Sequence, residues 1–130
     1  MTFSALTAGQ KVTLGGLTFT ATADATAADV AASFQNRAAG DTGGAGTNGT
    51  LTGTLTGWGT AATSSGATLV FTSSVASANV ADLATPVAGA NPTVVTTQQG
   101  GPTNSTEAAT VSFAAANMAA GDSITVGGLT

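Results

Sequence analysis

Six carboxylates (Asp24, Asp29, Asp41, Asp82, Glu107 and Asp122) and two cations (Lys11 and Arg37) are the only ionisable side chains in this 130-residue chain. Carboxylate-pair catalysis needs two acids brought to one bond. Here the acids are scattered singly, and each has an ordinary use as a helix cap, a turn or loop polarity. The chain has no His and no Cys, which removes the commonest general base, the commonest metal ligand and any thiolate chemistry. Its many Ser and Thr hydroxyls therefore have no evident base to activate them. Calcium has no D-x-D-x-D-G loop and would have to use loop carbonyls with Asp41 or Asp122. The Gly-rich stretches lack the Gly-Lys-Ser/Thr ending of a phosphate loop. The expectation is a chain that is not an enzyme, with no catalytic residue, cofactor or metal.

Binding chemistry has a few footholds. Trp58 beside Thr-rich loops could stack on a sugar, so a glycan is one candidate partner. Its phase relative to Leu51 and Leu55 leaves three placements open: re-aimed by a bulge, on the outer face, or partly in the core. Thr-x-Thr runs at Thr18/Thr20/Thr22 and Thr52/Thr54/Thr56 could form an ice-binding face, which needs a flat, regular hydroxyl array. Asn48-Gly49-Thr50 and Asn104-Ser105-Thr106 match the N-glycosylation tripeptide, which is frequent by chance in a Thr-rich chain. Two cations cannot neutralise a run of phosphates, so nucleic acid is excluded as a partner. No apolar stretch reaches the roughly 20 residues of a membrane-spanning helix. The start, MTFSALTAGQ, lacks the basic and apolar regions of a signal peptide. Either the chain leaves the cell by a route that needs none, or it is part of something longer.

The elements that position these residues come from a repeat and from apolar spacing. Residues 8–18, AGQKVTLGGLT, return at 120–130 as AGDSITVGGLT, with seven of eleven positions identical. Phe3 corresponds to Phe113 if the second copy carries two extra residues, so the period is about 110. Residues 11–14 and 17–22 alternate apolar and polar around Gly15-Gly16, which predicts a tight hairpin. The second copy stops after one arm and the turn, which suggests a tandem array or a strand that pairs with another chain. The chain accordingly divides into a β-rich repeat module at 1–107 and terminal strands at 108–130 that match the start of the next repeat.

Thr26 with Asp29 forms a capping signal, and Ala27, Val30, Ala31, Phe34 and Ala38 keep helical spacing. The spacing predicts a helix at about 26–39, with Arg37 near its negative end and Gly40 as its stop. Residues 40–50 read as a flexible loop and 51–58 as a Gly-weakened strand. Residues 67–73 read as a strand with Leu69 and Phe71 on one face. Residues 79–84 read as a short helical turn with Val80 and Leu83 inward. Residues 93–99 and 108–114 read as strands. The fold expected is mainly β, a β-sandwich-like module of about six or seven short strands with one α-helix.

Charged residues make up 6% of the chain, against roughly 25% in ordinary globular proteins. Little long-range repulsion keeps copies apart, so the expected partner is the chain itself. The runs AGQKVTLGGLTFTATADATAADVAASF and SGATLVFTSSVASANVADLA resemble the Ala/Thr/Gly-rich repeats of very long bacterial β-strand-repeat surface proteins, both adhesins and S-layer-like proteins. The resemblance covers most of residues 8–84 and returns at 120–130. It implies a structural, repetitive protein at the cell surface or outside the cell, and it implies no catalytic residues. Such adhesins usually add calcium-binding runs, which this segment lacks. The residues expected to join one unit to the next are Val111, Phe113, Ile124, Val126 and Leu129.

Overall fold

A computed structural model describes residues 1–83, 91–101, 108–114 and 125–126. The chain is mainly β and sandwich-like. One sheet has five strands in the order β3 (Thr42–Gly46), β4 (Gly49–Thr54), β2 (Leu17–Ala21), β1 (Lys11–Leu14) and β9 (Thr125–Val126), and the other has four in the order β5 (Trp58–Thr60), β6 (Val70–Ser73), β8 (Ala108–Ala114) and β7 (Asn91–Gln98).

The first sheet grows from the predicted hairpin. β1 (Lys11–Leu14) and β2 (Leu17–Ala21) pair antiparallel, Leu14 opposite Leu17 and Val12 opposite Phe19. Gly15 and Gly16 both take positive φ, +54° and +86°, as the two-residue turn requires. Strand alternation sends Val12, Leu14, Leu17, Phe19 and Ala21 into the core. β2 is paired on its other side by β4 (Gly49–Thr54).

Residues 40–50, expected as a flexible loop, are ordered instead. They contain β3 (Thr42–Gly46), which forms a hairpin with β4 through Thr47 and Asn48. The cause is a close approach: a side chain at Gly49 would run into the Phe19 ring. Glycine is what lets this hairpin lie over that phenylalanine, and its lack of a side chain is why no strand pattern shows in the sequence. The Ser33 hydroxyl fixes the hairpin to the helix, donating to Asp29 O at 2.8 Å and accepting from Thr47 N–H at 3.1 Å.

The helix α1 is shorter than its spacing predicts, Ala27–Ser33 with Phe34 as C-cap. Its start is the expected one. Thr26 Oγ1 accepts from Asp29 N–H at 3.2 Å, and the Asp29 carboxylate accepts from Thr26 N–H at 3.0 Å. Its end is set by a distant strand. Asn36 turns to φ +52° and donates to Ala61 O. Thr60 Oγ1 donates to Phe34 O at 2.7 Å and accepts from Arg37 N–H at 2.8 Å. Arg37 therefore lies beyond the helix, and the last turn holds no basic residue. The carboxylate of Asp29 is held below its ordinary range by its bonds from Thr26.

The second sheet contains β5 (Trp58–Thr60), β6 (Val70–Ser73), β7 (Asn91–Gln98) and β8 (Ala108–Ala114). β8 is an interior strand, with β6 on one side and β7 on the other. β7 lies at the sheet's edge and carries Pro92 opposite Phe113, as befits a residue with no N–H to give a ladder. Residues 79–83 are not helical, but Leu83 is buried and Val80 packs against the core, so the inward pattern holds without the helical turn.

Phe34, at the helix end, joins the two sheets. Its ring lies 6.4 Å from Phe19 of the first sheet, 6.4 Å from Phe71 of the second and 5.4 Å from Phe3. Burying such rings contributes the largest single share of core stability.

Candidate functional site: the sheet edges

Among the described residues, the acids singled out for chemistry are spent on structure. Asp24 accepts from Ala8 N–H, Asp29 caps the helix and Asp41 accepts from Ala38 N–H. Asp122 lies outside the described residues. Asn48 sits at φ +56° in the β3–β4 turn, and its amide reaches Asp29 at 3.4 Å. Asn104 lies outside the described residues.

Trp58 is 5% exposed and belongs to the core cluster. Its indole has no open face on which a sugar could stack, which corrects the ligand-stacking expectation. The reason lies in two glycines at positive φ, Gly53 and Gly57. They bracket the passage from β4 in one sheet to β5 in the other, so the alternation restarts and Trp58 turns inward. A cleft of about 350 Å3 lies elsewhere, lined by Leu6, Thr7, Gln10, Asp24 and Thr26 among others. Its polar groups are largely engaged: Gln10 accepts from Thr7 N–H at 2.7 Å, and Thr26 and Asp24 are bonded as above.

The Thr-x-Thr runs meet only in part. Thr13, Thr18 and Thr52 align across β1, β2 and β4, and Thr20 lies opposite Thr50 in the next row. Thr13 and Thr18 share a hydrogen bond of 2.7 Å between their hydroxyls. Thr56 is drawn away to donate to Gly15 O at 3.1 Å. This outer face is therefore a hydroxyl surface with Lys11 as its one charge among β1, β2 and β4.

The residues expected to join units fall on edges and strands. Val111 and Phe113 lie in β8, where they pair with Val94 and Pro92 of β7. Val126 lies in β9 (Thr125–Val126), which runs parallel to β1 along its outer edge. Ile124 and Leu129 lie outside the described residues. Sequence reasoning missed the β1–β9 register, which sets Thr13 opposite Thr125 and Leu14 opposite Val126. These are matched positions of the two repeat copies, so β1 has a strand of its own sequence alongside, in step with it. The geometry frees β1 for this. A two-residue turn makes Leu14 and Leu17 a hydrogen-bonded pair, so the Thr13 N–H and C=O point away from β2.

A second shared edge lies on the other sheet. Thr2 bridges Thr68, and Phe3 N–H donates to Ala67 O at 2.6 Å. The Met1 ammonium donates to Leu69 O, and burial lowers its pKa to about 5. Met1 and Phe3 are both buried.

Among known protein families, curated proteins and solved structures, none matches this chain.

Proposed function

We propose that this chain is a structural unit of an extracellular bacterial filament, sheath or surface layer, and that units join by sharing sheet edges. The observation that carries this reading is the β1 edge, which takes a strand of its own repeated sequence in matched register. Main-chain hydrogen bonds along such an edge supply affinity, and the alternating side chains supply register. The scarcity of charge supports it, because little repulsion opposes contact between copies. The resemblance to repeats of bacterial surface proteins supports the extracellular setting. Contacts that repeat head to tail without closing into a ring produce fibres or layers.

Electron microscopy of the concentrated chain tests the proposal, with extended assemblies as the expected result. Thr13→Pro removes an outward N–H from the β1 edge while leaving the hairpin's own hydrogen bonds in place, and it should reduce assembly sharply. Separate, uniform single particles at every concentration would overturn the reading.

A further inference from the structure

One edge of residues 67–73 carries two partners placed end to end. Its first half pairs with the chain's start, Thr2 opposite Thr68, with Leu69 N–H donating to Met1 O. Its second half pairs with β8: Val70 opposite Thr110, Phe71 opposite Ala109 and Thr72 opposite Ala108. On the opposite side, Val70 O accepts from Ala61 N–H next to β5. The groups of residues 67, 69 and 71 therefore point to the same edge. Both partners run antiparallel to 67–73, so Ala108–Thr110 and Met1–Phe3 lie in one line and run in one direction.

Continued past Thr110, the β8 register would set Val111 opposite Leu69, Ser112 opposite Thr68 and Phe113 opposite Ala67. Those rungs are held by Met1, Thr2 and Phe3. The sequence repeat makes the same match, because Phe113 corresponds to Phe3. Backbone register and sequence alignment thus give one offset by separate routes. The three-residue pieces also share a pattern, apolar-polar-apolar, as Met-Thr-Phe and Val-Ser-Phe. The slot that Met1–Phe3 fills is deep, with Phe3 2% exposed and stacked on Phe34.

We infer that the 108–113 strand of one copy lies unbroken along residues 67–73 of a second copy, with Val111, Ser112 and Phe113 on the rungs of Met1, Thr2 and Phe3. The inference rests on the reading that units join through sheet edges, and it names the slot, the occupant and the register. Exchange of this kind replaces like with like, as in domain swapping: residues 108–110 make the same rungs with 70–72 whether those belong to their own chain or to the neighbour. Within its sheet the β7–β8 hairpin is held only at rungs 70–72, because β7 pairs with β8 alone among the described strands; just past β7, the Gln99 amide donating to Asp82 at 3.1 Å is a further tie that exchange must break.

The chain has no cysteine, so introduced thiols report alone. Thr2 and Thr68 form a non-hydrogen-bonded pair, whose Cβ atoms come within disulfide reach. Chains carrying Thr68→Cys are refolded together with chains carrying Ser112→Cys, oxidised, and digested for mass spectrometry. The 68–112 cross-link is expected at about tenfold or more over the same mixture made with Ala114→Cys, since pairing sets a high local concentration only in register. In a second variant, Thr2→Cys with Thr68→Cys closes the slot within one chain, and self-association should fall until the disulfide is reduced. Filaments without a preferred 68–112 cross-link overturn strand exchange and leave the structural-unit reading standing. A preferred cross-link in small oligomers with no extended assembly supports strand exchange and removes the filament reading. Absence of both overturns both.

Discussion

β2 and β6 are both interior strands, yet β2 and the run 67–73 that contains β6 are held in different ways. β2 is flanked along its length by β1 and β4, and the tight Gly15-Gly16 turn joins it to β1. Residues 71–73 have β5 on one side; on the other, residues 67–72 meet two separate pieces, which adjoin between Thr110 and Met1. The first strand is fixed by covalent neighbours and a packed face. The second is completed by parts of the chain far apart in sequence, which is the condition under which an equivalent part of another copy can substitute. The contrast separates a region fixed by its sequence neighbours from the one at which strand exchange is proposed.

The comparison is broken most severely by removing the anchor of the first region. Phe19→Ala takes away a fully buried ring that faces Phe34 and should cost about 3–5 kcal/mol in urea unfolding. Gly49→Ala is the next test. The added methyl would collide with the Phe19 ring and the Thr20 carbonyl, and overpacking of this kind costs about 1–3 kcal/mol. Both should leave the 68–112 cross-link preference unchanged in the fraction that folds.

The smallest expected effect comes from the second region and sharpens the contrast by pH. Burial lowers the Met1 α-amine from 8.0 to about 5 in the folded chain. Between those values the unfolded chain holds a proton that the folded chain lacks, so stability rises with pH across that window. With no His in the chain, no side chain ordinarily titrates there. Thermal midpoints should climb from pH 5 to 8, and acetylation of the α-amine should flatten the slope.

Much of the first region is legible in the sequence. Alternating Val12, Leu14, Leu17 and Phe19 around two glycines specify the hairpin, and the Thr26/Asp29 box marks where the helix begins. Apolar spacing also locates β6, β7 and β8. Elements set by distant neighbours are not legible. The Ala-rich run after Phe34 keeps helical spacing, but Thr60 takes over the backbone groups at the helix end. Three of the five residues of β3 are glycine, and glycine carries no pattern. Trp58 moves inward because Gly53 and Gly57 reset the phase, which spacing alone does not reveal. The edges were legible only as a repeat. That the repeat's two copies take matching rungs follows from the pairing register, which a sequence does not contain.

Pro92 on β7 has a consequence for the shape of any assembly. A strand approaching that border finds one amide hydrogen missing from the row it must grip. Lateral accretion on that flank is therefore discouraged, while the exchange proposed at the slot beside Leu69 is not hindered by it. If units join as proposed, they would lengthen into a thread before they widen into a raft.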